Sequence, residues 1–129
     1  MKDFEEKTRA FLLERGWHEL RPSDLAKSIM IEGAELLELF QWDNKEAQEI
    51  KADEEKMALI RKELADVMIY CFDMASVLDI DVAPMLEEKL AKVREKYPAD
   101  VFNKEARAGE PGTEAAYWQV KWEYRANGG

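Results

Sequence analysis

The sequence predicts an all-α fold, an up-and-down bundle of four helices, on three observations. Apolar residues recur at helical spacing over four stretches. No stretch alternates apolar and polar residues as a half-buried strand does. No glycine-rich phosphate loop and no internal repeat interrupts the pattern. A chain of 129 residues, 47% apolar and 10% aromatic, fits one domain with a core.

The first helix is expected from about Asp3 to Arg15, with Phe4, Ala10, Phe11 and Leu12 on one side and Gly16 as a stop. Trp17 to Pro22 reads as a connection. Ser23 or Asp24 is the expected cap of a second helix, which runs to about Trp42 through Leu25, Ile29, Leu36, Leu39 and Phe40. Residues 43–53 are polar and read as a surface connection that could carry a helical turn. The longest helix should start near Asp53, where acids favour the positive end of the helix dipole, and reach about Leu78. Asp81 is the expected cap of a fourth helix with Pro84 in its first turn, ending at Tyr97-Pro98 because proline disfavours helical geometry in the residue before it. Residues 1–98 are thus the expected domain. Residues 99–129 form a tail in which Thr113-Glu114 could cap a short helix carrying Tyr117, Trp118, Trp122 and Tyr124, to cover this domain or a partner subunit.

The formal charge of -9 excludes a broad phosphate-neutralising face, so no nucleic-acid polymer is expected as a partner. A small anion is still compatible if metal ions mediate its binding. The one cysteine, Cys71, lies in the apolar run 67–72 and is expected to be a buried thiol in a reducing cytosol. The N-terminus has no apolar signal core and no stretch is long enough to span a membrane, so the expected location is cytoplasmic.

Glu32-x-x-Glu35 and Glu63-x-x-Asp66 each set two acids about one helical turn apart. Spacing alone carries little weight, because Glu35/Glu38 and Glu46/Glu49 repeat it among 28 acidic residues. Position on the helix face discriminates. Glu32 falls among Leu25, Leu36 and Leu39, Glu35 lies at the edge of that stripe, and Glu38 points away. Glu63 and Asp66 share a stripe with Tyr70, Asp73, Leu59, Met74 and Val77. If the two helices pack antiparallel through these faces, the carboxylates meet where unpaired charge is costly. Either Lys27, Lys56, Lys62, Lys89 or Arg94 pairs with them, or a divalent metal does. Four oxygen donors without cysteine or histidine select a hard ion, Mg²⁺ or Mn²⁺, over zinc. A di-iron site needs two Glu-x-x-His motifs, and His18 is the only histidine.

The run from Glu32 to Trp42, followed by Glu63-Leu64-Ala65-Asp66-Val67-Met68-Ile69-Tyr70, resembles the MazG-like nucleotide pyrophosphohydrolases, near their deoxycytidine-triphosphate pyrophosphatase branch. The similarity extends from about Phe4 to Pro98. It implies the all-α bundle of those enzymes, completed by assembly into a homodimer or dimer of dimers. It also implies hydrolysis of nucleoside triphosphates to monophosphate and pyrophosphate, as in nucleotide-pool housecleaning. By the same resemblance Glu32, Glu35, Glu63 and Asp66 hold Mg²⁺; one carboxylate could take the water's proton while the others stay ligands, and Glu35 is the one expected here on chemical grounds. Trp17 and Trp42 match positions that flank the nucleobase. Tyr70 could lie under the sugar, and Lys89 and Arg94 could hold terminal phosphates. The ordinary alternatives are burial for the aromatic residues and helix-dipole complement for the two cations. Val93 stands where close relatives often carry asparagine, and residues 19–22 lack their histidine, which leaves deoxyuridine triphosphate or phosphoribosyl-ATP as alternative substrates. A non-catalytic helical interaction module with ion-paired acids is the alternative of a different class.

Overall fold

A computed structural model describes residues 1–99 and 111–128, with side chains for 1–99 and 117–128. Among the described residues every regular element is a helix: α1 (Lys2–Glu14), α2 (Pro22–Glu38), α3 (Ala47–Lys51), α4 (Glu54–Val77), α5 (Val82–Lys96) and α6 (Pro111–Ala126). The all-α class is as expected. The chain divides into two compact units, Met1–Ala83 and Pro84–Gly129. No helix among the described residues is long and apolar enough to cross a membrane.

In the first unit α2 and α4 form the most extensive helix contact and α1 packs on α4. Leu39 meets Lys56 at one end of the α2–α4 pair, while Glu32 meets Glu63 and Asp66 further along, so the two helices run antiparallel. Phe4 of α1 packs edge-on against Phe72 of α4, with ring centroids 5.2 Å apart. Among the described residues Leu12, Leu25, Ala75 and Val82 are the buried apolar ones, one each from α1, α2, α4 and α5, a thin core. Large apolar side chains such as Met30, Ile31, Leu37 and Met68 remain exposed.

Helix ends explain where the elements stop. After α1, Gly16 takes φ +66°, its N–H bonds Leu13 O, and the Trp17 N–H bonds Leu12 O. This pair of bonds closes the last turn, and the left-handed residue between them suits glycine. Trp17 then lies edge-on to Phe11, centroids 5.9 Å apart, which is the apolar contact that accompanies such an ending. The end of α4 repeats the pattern with Asp79 at φ +53°: Asp79 N–H bonds Ser76 O and Ile80 N–H bonds Ala75 O. At the start of α4 the Asp53 carboxylate accepts the Lys56 N–H at 3.0 Å, as a cap should.

Four expectations need correction. The second helix starts at Pro22, with Arg21 in the cap position and no side-chain cap bond. Proline's fixed φ and missing N–H suit the first helical position, which moves Ser23 and Asp24 inside the helix. The same helix ends at Glu38 rather than Trp42, because Leu39 and Phe40 turn back on Leu36 O and Leu37 O. Cys71 is exposed rather than buried. Finally, the last helix starts at Pro111, so Thr113 and Glu114 lie within its first turns, and their side chains are outside the described residues. The cap of α5 also has an unforeseen contributor: Glu5 Oε1 accepts the Val82 N–H at 2.8 Å.

In the second unit the end of α5 meets α6. Tyr97 stacks on Tyr117 with centroids 5.6 Å apart and rings 10° from parallel, and Lys96 Nζ sits 4.0 Å over the Tyr124 ring.

Candidate metal centre

The α2–α4 crossing brings the two acid pairs together. One carboxylate oxygen from each of Glu32, Glu63 and Asp66 lies within 4.8 Å of the others. Glu32 and Asp66 are half-buried and Glu63 is 9% exposed. Glu35 is exposed at the rim of the group, and its carboxyl titrates above the usual range because of Glu32 first and Glu63 second. Glu38 is exposed, consistent with its position off the stripe.

One cation has entered the site. Lys62 Nζ donates to Glu63 Oε1 at 2.8 Å and lies 3.8 Å from Asp66 Oδ2. It holds the Glu63 carboxyl below the usual range, against the opposing effect of burial. The ion-pair alternative is therefore partly realised, but among the described residues a single lysine is paired with these carboxylates. Glu63 Oε2 is buried with no hydrogen-bond donor. Glu35 can share a hydrogen with Glu63 only while protonated, the state that its raised pKa favours. An oxygen-only donor set with a buried, unpartnered carboxylate oxygen fits a hard divalent cation.

Tyr70 is half-buried one turn beyond Asp66 on α4. Trp17 is half-exposed behind α1, and Trp42 is 91% exposed in the turn after α2. Lys89 and Arg94 are exposed on α5, within the second unit. Lys56 was visible in the sequence only as a possible ion-pair partner. Its ammonium donates to the Leu39 carbonyl at the end of α2 and lies 3.9 Å from Asp43 Oδ2 and 5.3 Å from the Phe40 ring centroid. That role depends on the helix ending at Glu38, which no residue pattern signalled.

Comparison with known proteins gives this geometry a context. The mouse protein dCTP pyrophosphatase 1 is 33% identical over 91 residues, covering 68% of this chain and 53% of the relative. The human dCTP pyrophosphatase 1 is 32% identical over 100 residues, covering 75% and 58%. The chain thus spans about half the length of these relatives. A crystal structure of a pyrophosphatase from Archaeoglobus fulgidus is similar with a TM-score of 0.64 and 37% identity, covering 76% of this chain and 92% of that one. The model of the MazG-like family matches residues 27–110, a span that contains both acid pairs and the helices that join them. By this match over most of its length, and by the antiparallel helices that carry its four acids, the chain belongs to the MazG-like family.

Proposed function

We propose that this protein hydrolyses nucleoside triphosphates to the monophosphate and pyrophosphate, with Mg²⁺ held by Glu32, Glu35, Glu63 and Asp66 and Mn²⁺ as a substitute. The observation that carries the reading is the convergence of Glu32, Glu63 and Asp66 oxygens within 4.8 Å in a chain similar to dCTP pyrophosphatase 1. Bound there, a divalent ion would neutralise phosphate charge, polarise the phosphoryl group and acidify a water.

The chain's own residues supply the rest. Water attacks the α-phosphorus, its proton passes to the Glu35 carboxylate, and the bond from the α-phosphorus to the bridging oxygen breaks to release pyrophosphate. Glu35 suits the task because its exposed rim position is open to water and its neighbours Glu32 and Glu63 raise its affinity for a proton. Glu32, Glu63 and Asp66 remain ligands. The exposed Trp42 and Trp17 offer flat faces for a nucleobase, Tyr70 a ring for the sugar, and Lys89 and Arg94 charges for the terminal phosphates.

A homo-oligomer belongs to the same reading. Met30, Ile31, Leu37 and Met68 are each more than half exposed, and a second copy completing a four-helix bundle would cover such surface. Nucleotide-pool housecleaning in the cytoplasm is the corresponding cellular role.

The decisive experiment is phosphorus NMR of the products after incubation with Mg²⁺ and a panel of ribo- and deoxyribonucleoside triphosphates, including dCTP and dUTP, together with phosphoribosyl-ATP. Monophosphate and pyrophosphate are expected. Release of orthophosphate, or no turnover of any member of the panel, would overturn the proposal.

A further inference from the structure

Lys62 makes a contact that helix geometry does not provide by default. It precedes Glu63 directly, and adjacent residues on a helix point about 100° apart. A 2.8 Å contact between Nζ and Glu63 Oε1 therefore requires the lysine stem to curl back toward the acids rather than extend into solvent. The same ammonium lies 3.8 Å from Asp66 Oδ2, one turn on. Both partners belong to the group whose oxygens converge with Glu32. The lysine is thus directed at the carboxylates that would hold a metal, while its side chain stays 63% exposed and free to leave.

We propose that Lys62 is a displaceable counter-ion of the metal centre, which neutralises Glu63 and Asp66 in the metal-free protein and competes with the divalent cation for them. This rests on the metal reading above. A carboxylate oxygen that turns to a dication gives up its ammonium partner, and the two cations repel at such distances. Metal binding is then an exchange of one cation for another. The exchange keeps the acids together while no metal is bound, at the cost of a weaker hold on the metal. The exposed stem lets Lys62 swing outward without disturbing the buried side of α4.

The test is calorimetric titration of Mg²⁺, then Mn²⁺, into chelator-stripped wild type, K62Q, K62M and K62R, each checked for helicity by circular dichroism. K62Q and K62M should bind Mg²⁺ about two- to fivefold more tightly than wild type, the change expected for losing one largely exposed competing charge, while K62R should match wild type. A second readout is the Lys62 ¹⁵Nζ resonance, assigned by its loss in K62Q. Its position should differ from a free lysine in the metal-free protein and move to the free-lysine position as Mg²⁺ saturates. Equal or weaker Mg²⁺ binding by both folded neutral variants, or an Nζ signal unmoved by Mg²⁺, would overturn the proposal and leave the metal centre standing. Failure of wild type and all variants to bind either ion would remove both.

Discussion

Asp73 gives the sharpest test of the energetics of α4. It is only 5% exposed, and its Oδ1 has no hydrogen-bond partner. Burial alone pushes its carboxyl above the usual range. Below the unfolded pKa of about 3.9 the group is neutral in both states and no charge is buried. As pH rises through the higher folded pKa the charge must be buried, so stability is lost with rising pH. The isosteric change Asp73→Asn removes the charge and keeps the shape. Asparagine leaves a polar group unpaired there too, so the variant is relieved only of the extra cost of burying a charge, and it should be more stable than wild type by on the order of 1 kcal/mol at pH 7. Unfolding entropy of about 2.1 cal/mol/K per residue over 129 residues makes 1 kcal/mol worth about 4 °C. The expected gain in Tm is then about 4 °C in chelator at pH 7, shrinking toward zero near pH 4. Calorimetric melts across that pH range measure it. A variant less stable than wild type at pH 7, or a difference that does not change with pH, would refute the reasoning.

Three further substitutions probe separate parts of the first unit. Glu35→Gln should lower kcat about 10²- to 10⁴-fold at saturating Mg²⁺, since it removes the proposed proton acceptor; a steady-state kcat within half of wild type would remove Glu35 from that role. Lys56→Met takes the ammonium from the Leu39 carbonyl at the end of α2 and should cost about 1–2 kcal/mol in urea melts. Because it also loosens the turn that carries Trp42, KM should rise more than kcat falls; unchanged stability and KM would count against the clamp. Asp79→Gly relieves a left-handed residue at φ +53° and loses only an exposed 3.6 Å pair with Arg9, so it should stabilise the protein by up to about 1 kcal/mol. A lower Tm would show that the Arg9 pair outweighs the backbone.

The acids were legible in the sequence because their signal is a conflict between two rules. Glu32, Glu63, Asp66 and Asp73 sit on apolar helix stripes, and the structure buries or half-buries all four. Boundaries written in local chemistry, the stop at Gly16 and the start at the acids of residues 53–55, were also readable. The end of α2 was not, because apolar spacing continues through Phe40 while the chain is turned by Lys56, a residue seventeen positions away. Cys71 was misread for a related reason: an apolar run does not say which of its members faces the neighbouring helix when only one face is covered. Glu5 at the start of α5 was hidden because caps supplied across 77 positions leave no local pattern.

The helices that carry the acids also carry much of the uncovered apolar surface, so the proposed assembly would bear on the site. Met30 and Ile31 directly precede Glu32, and Met68 follows Asp66 by two residues. A thin core of Leu12, Leu25, Ala75 and Val82 leaves little to hold α2 against α4 at the place where like charges push them apart. Covering the outer faces with a second copy would supply that hold, so folding and association should be one process. For a dimer that unfolds to two chains, a tenfold rise in protein concentration adds about 1.4 kcal/mol per dimer. Shared over two chains of 129 residues this raises Tm by about 2–3 °C. Melts from about 1 to 100 μM should therefore climb by about 5 °C, and Met68→Lys, which sets a charge in the exposed apolar face, should lower Tm and flatten that slope. A wild-type Tm independent of concentration, with a 15.0 kDa species in light scattering, would mean that α2 and α4 hold the acids together unaided.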